Sequence, residues 1–217
     1  MNFSHLNLEY LAIVFAVVFA SMVLHELMHG VVALWLGDDT AKRDGRLTLN
    51  PLKHIDPFLT IILPLFLAAA GLPIFGGAKP VPFRPDRVRG GDWGVALVGI
   101  AGPLTNLALA FLCFGALAIF HISGVGVLSQ ILSVGVMANL GFFAFNILPV
   151  PPLDGSRVLY AVAPEWFRRA MEAVERAGLI VVFAIVMFAS PAISQVIGYI
   201  IQFMLAFFAA IFGVAAA

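Results

Sequence analysis

Residues 8–36 read LEYLAIVFAVVFASMVLHELMHGVVALWL. The run exceeds the roughly 20 apolar residues that a helix needs to cross a bilayer, so it predicts a membrane helix. His25, Glu26 and His29 sit in its C-terminal half. Ionisable side chains in lipid are costly, and those that persist face a bundle interior and serve a function. On a helix, positions i and i+4 lie one turn apart on one face. His25 and His29 can therefore take two corners of a zinc tetrahedron, with Glu26 beside water at that metal. A short motif alone is a weak signal, and the plainer reading is three polar side chains satisfying one another in a bundle. The membrane setting weighs against it, because each of those side chains then needs its own compensation.

Composition places the rest of the chain in the same setting. Of 217 residues, 62% are hydrophobic and 11% charged, where a soluble domain is nearer half apolar and a quarter charged. Mean hydropathy is +1.04. The reading is an all-α membrane protein, a polytopic helix bundle in the lipid bilayer, forming one integral domain over 1–217. The formal net charge of zero gives no sign of a nucleic-acid partner. Cys113 is the single cysteine, so no internal disulfide is possible. No Lys or Arg precedes the first apolar run, which argues against a cleavable signal peptide there.

Outward from the first helix, Gly37 and the polar run 38–46 end the apolar stretch, and RLTLN (46–50) alternates as a short strand would. His54 and Asp56 lie between Pro51 and Pro57 and read as surface-loop residues, with a support or gating role as the second reading. Residues 58–75 are broken by Pro64, Gly71 and Pro73, so they either span or dip in and return. Residues 93–120 and 127–148 are clear spans carrying Asn106, Asn139 and Asn146. Gly102, four residues before Asn106, suits close helix approach and an interhelical hydrogen bond. Pro149, Pro151 and Pro152 end the second span, because proline cannot continue a helix. Residues 164–178 pattern as an interfacial helix, and two apolar runs follow at 179–190 and 192–213.

A catalytic zinc needs a third protein ligand. Asp154 is the best candidate: it follows the proline-broken helix at the membrane, where an unpaired carboxylate is costly. For Asp154 to meet His25 and His29, the C-terminal ends of the first span and of 127–148 must face the same side. That requires 58–75 to be re-entrant. The same choice puts all 12 Lys and Arg side chains on one face, where a full crossing divides them four (Lys42, Arg43, Arg46, Lys53) against eight. The expectation is five spans plus a re-entrant segment, with six spans as the alternative, and a site toward the cytoplasmic side.

HELMHG (25–30), GPLTN (102–106) and NILPVPPLDG (146–155) together resemble the site-2 protease family of intramembrane zinc metalloproteases. The resemblance covers about 8–160, which it implies is the catalytic core, with C-terminal helices over 164–213. It looks like the small bacterial or archaeal type without a PDZ domain, in a prokaryotic cell membrane. It implies Zn2+ as cofactor, His25, His29 and Asp154 as its ligands, and Glu26 as the catalytic acid/base. It implies a transmembrane protein as substrate. Asn146 and Asn106 become candidates for holding substrate backbone or an oxyanion, and an interhelical hydrogen bond is the equal alternative for Asn146. A metal-ion transporter and a non-catalytic scaffold are the competing classes. The first needs ligands at several depths, and the second has no use for Glu26.

Overall fold

Leu8–Trp35 forms α1, a helix of about 42 Å at 1.5 Å per residue, enough to cross a hydrocarbon layer of about 30 Å with a turn or two to spare. It stops at Gly37, whose φ of 105° reverses the chain. There Asp38 N–H donates to the Ala33 carbonyl and Gly37 N–H to the Leu34 carbonyl, the paired bonds of a glycine-terminated helix. Arg89 closes the same end: its guanidinium donates to the Trp35 carbonyl at 2.6 Å and the Leu36 carbonyl at 3.2 Å. A cation there complements the negative pole of the helix.

The computed structural model describes residues 8–71, 76–124, 126–178, 181, 184 and 190–214. Within them the chain is helical. α2 is Thr40–Arg43, α3 is Leu63–Ala69, α4 is Gly91–Ile119, α5 is Val127–Asn146, α6 is Ser156–Val162, α7 is Glu165–Ala177 and α8 is Ser190–Phe212. Four of these, α1, α4, α5 and α8, are long and apolar enough to cross a membrane. A fifth span was expected at 179–190, which lies almost wholly outside the described residues. α4 is the central helix, packing against α1, α5, α6 and α8. Half of its apolar window is buried inside the protein, against 17% for α1 and 11% for α8, whose outer faces are left for lipid. α8 locks onto α4 and α5 through Phe208, packed with Ala110, Val136 and Leu140. A methyl group on Gly115 of α4 would press on the Phe212 ring at 2.7 Å, so the small residue lets α8 come close.

Of the segment expected to be re-entrant, 58–75, residues 72–75 lie outside the described residues, and the described flanks start and end together. Asp56 caps its start, accepting from Phe58 N–H and Leu59 N–H at 2.9 Å each. A π-helical turn, Pro57–Ile62, runs into α3. Together they rise about 20 Å, short of a crossing. The chain then returns to its origin: Gly77 N–H donates to the Leu59 carbonyl at 3.1 Å and Lys79 N–H to the His54 carbonyl at 2.8 Å. Both ends of the excursion thus sit together.

Two local expectations change. Residues 46–50 bend at Leu47 and Thr48 and form no strand, because no second strand lies beside them among the described residues to complete a ladder; Asn50 instead caps the turn Pro51–His54. His54 is not at the surface. It is fully buried, with Nε2 2.9 Å from the Thr48 carbonyl.

Candidate metal centre

α1 carries both histidines inward, His25 and His29 each 8% exposed. Their Nε2 atoms stand 3.1 Å apart. Asp154 arrives from the far end of α5. Its Oδ2 lies 3.1 Å from His25 Nε2 and 3.4 Å from His29 Nε2. Zinc ligands about 2.0–2.2 Å from a tetrahedral ion stand about 3.3–3.5 Å from one another. The three donors are therefore spaced as corners around one ion, and two imidazole nitrogens with one carboxylate oxygen are an ordinary zinc donor set.

The loop that delivers Asp154 is built by its prolines and one glycine. Pro149, Pro151 and Pro152 supply no N–H, so α5 cannot continue, and the chain folds back until Gly155 N–H donates to the Asn146 carbonyl at 2.7 Å. Gly155 lies so close to the end of α5 that a Cβ there would collide with the Ile147 and Leu148 carbonyls. On the third side, α4 comes near enough that a Cβ on Gly102 would sit 2.5 Å from His29 Nε2 and 2.6 Å from His25 Nε2. The absent methyl of Gly102 leaves the space that an ion between the donors needs.

The far nitrogens of both rings are held. His29 Nδ1 meets the Val98 carbonyl at 2.7 Å, and His25 Nδ1 meets Asn106 Oδ1 at 2.6 Å. A ring that donates from Nδ1 presents a free lone pair at Nε2, the metal-binding form. Asn106 is fully buried behind His25 and does not line the cavity beside the donors. Asn146 does line that cavity, and its amide donates to the Phe142 carbonyl one turn back on its own helix at 3.0 Å.

The cavity has a volume of about 350 Å³ and is bounded by His25, Glu26, His29, Asn146, Asp154 and Arg157, with Gly76–Ala78 and Pro80–Val81 of the returning segment. Glu26 Oε2 accepts from Val81 N–H at 2.9 Å. Reading the sequence did not find this contact, although it held a clue. In Pro80–Val81–Pro82, Val81 alone carries an N–H, and each proline biases the residue before it toward extended backbone. Arg157, paired with Glu175 of α7, was likewise missed as a cavity residue.

The fold and donor set fit a class, helical membrane proteins with a metal site inside the bundle. Residues 121–190 match the family described as Peptidase family M50. YwhC of Bacillus subtilis, whose name describes it as a zinc metalloprotease, is 42% identical over 189 residues, covering 82% of this chain and 80% of that one. Rip2 of Mycolicibacterium smegmatis, named for the same activity, is 32% identical over 177 residues, covering 81% of this chain and 66% of its own. MJ0611 of Methanocaldococcus jannaschii, also named as a zinc metalloprotease, is 33% identical over 159 residues, 72% of this chain and 75% of its own. No solved structure matches. The chain belongs to the M50, or site-2 protease, family and is a zinc metalloprotease of the membrane.

Proposed function

We propose that the protein hydrolyses a peptide bond within or near a transmembrane helix of another membrane protein. In this reading His25, His29 and Asp154 hold the zinc and Glu26 moves the proton. The observation that carries it is the convergence of three donors, from the inner parts of α1 and the end of α5, on a cavity that also receives a carboxylate. Zinc at that point supplies Lewis acidity, which acidifies water and polarises a carbonyl. Glu26, oriented through Oε2 by Val81 N–H, takes the proton of the attacking water and later gives it to the leaving amine. Asn146 is placed on the cavity to meet the substrate backbone, whereas Asn106 supports His25 from behind.

A target helix must unwind before attack, since its carbonyls are tied to amides four residues on. The returning segment 76–83, with Gly76 and Gly77 on the cavity wall, borders the space in which an extended chain would lie. The basic residues fall between positions 42 and 176, all on loops and short helices outside the four long apolar helices, which supports a site toward the cytoplasm. The test compares membrane proteomes of cells carrying wild-type protein and Glu26→Gln. Helical stubs should accumulate in the variant. Purified Glu26→Gln that cleaves as fast as wild type would overturn the role of Glu26.

A further inference from the structure

A neutral imidazole carries one proton, and the nitrogen that binds a metal must be the other one. For His25 to offer Nε2, Nδ1 must be protonated and must face an acceptor. That acceptor is a side-chain amide, Asn106, at 2.6 Å. An amide turned by half a rotation would present its NH2 instead and force the opposite tautomer. His29 runs no such risk, because its Nδ1 partner is a backbone carbonyl, Val98 at 2.7 Å.

The orientation of Asn106 is set by a second amide. Asn106 Nδ2 donates to Asn139 Oδ1 at 2.8 Å. Asn139 is in turn fixed by a group that cannot reverse: its Nδ2 donates to the Gly135 carbonyl at 2.8 Å, and also to Ser21 Oγ at 2.9 Å. A hydroxyl adapts to donor or acceptor, but a carbonyl only accepts. Turning Asn139 over would set its oxygen against the Gly135 oxygen and its NH2 against that of Asn106. Ser21, Asn106 and Asn139 are 4%, 0% and 2% exposed, so a broken link is not readily replaced by solvent.

We infer that Asn139 is a positioning residue for the zinc centre: held by the Gly135 carbonyl, it locks Asn106 and through it the metal-competent tautomer of His25. The inference rests on His25 being a zinc ligand through Nε2.

The test uses full-length protein in detergent with two readouts, zinc affinity by chelator competition and imidazole tautomers of the metal-free protein by 15N NMR. Wild type should show His25 protonated at Nδ1. Asn139→Leu should weaken zinc binding about tenfold and mix the His25 tautomers while His29 stays unchanged. Ser21→Ala should stay within about twofold of wild type, because the Gly135 carbonyl still directs Asn139. Asn106→Asp in the Asn139→Leu background should restore the single tautomer, since a carboxylate accepts from either oxygen. Asn139→Ala replaces Asn139→Leu if melting curves show that the leucine variant does not fold.

An Asn139 variant with wild-type affinity and a single Nδ1–H tautomer would overturn the inference. So would Ser21→Ala as harmful as Asn139→Leu, because that marks general packing. If wild type binds zinc no better than His25→Ala, the zinc reading itself fails and takes this inference with it. If zinc binding needs His25 and ignores Asn139, only the inference fails.

Discussion

Glu26 and Gly102 separate chemistry from metal binding at single positions. Glu26 is not among the three converging donors, so Glu26→Gln should retain zinc and lose cleavage by roughly a hundred- to ten-thousandfold, the usual scale for a proton-transfer group. Zinc analysis and a cleavage assay on one preparation check both halves. Gly102→Ala should do the reverse in order of cause. Its methyl would lie 2.5–2.6 Å from both Nε2 atoms, so zinc stoichiometry should fall first and activity with it. A fully loaded Gly102→Ala protein would contradict the geometry. The convergence of His25, His29 and Asp154 on a cavity lined by Glu26 could be read ahead from residue type and from position in an apolar chain, and their roles are those proposed above. The place of Asn106 could not be read ahead. A polar residue on a central helix can face any of its neighbours, and only the packed register of α4 shows that it meets His25 and Asn139 rather than the cavity.

Elements follow their patterns where local chemistry is self-sufficient and depart where a partner is needed. The apolar runs became α1, α4, α5 and α8, and the amphipathic 164–178 became α7, because helices satisfy their own backbone. The alternating RLTLN did not become a strand, because a strand needs a second one. The link from α1 to the returning segment depends on Asp38, a buried residue just past the helix end. Its Oδ1 accepts from Thr40 N–H at 3.0 Å and from the Thr40 hydroxyl, and its Oδ2 accepts from Arg84 N–H. Burial works against its charge, but these bonds and the Arg87 guanidinium outweigh it and hold the carboxyl below the usual carboxylate range.

A carboxyl whose value is lower folded than unfolded stabilises fully above its unfolded value, about 3.9, and stops doing so as pH falls through the folded value. Asp38→Ala should therefore cost about 1–3 kcal/mol at pH 7. The gap from wild type should narrow as the pH approaches 3. Thermal melts in detergent at the two pH values check it, and a gap that widens in acid would contradict the assignment.

At the scale of the molecule, the course of 58–75 decides the topology. If the excursion begins and ends together, Thr48 and Arg87 lie on the same side of the membrane. Single cysteines at 48 and 87, in a Cys113→Ser background, should react with an impermeant thiol reagent from one side only, the same for both. Labelling from opposite sides would mean a full crossing. The re-entrant course was expected from two independent clues, the distribution of Lys and Arg and the need for α1 and α5 to end together. The hydrogen bonds from Lys79 to His54 and from Gly77 to Leu59 now give it a physical basis.

Zinc K-edge X-ray absorption on the purified protein bears most directly on the central claim. The account predicts two imidazole nitrogens and one carboxylate oxygen from the protein at about 2.0–2.2 Å, and loss of that signature with Asp154→Ala. An Asp154→Ala protein with unchanged zinc content and an unchanged spectrum would contradict it.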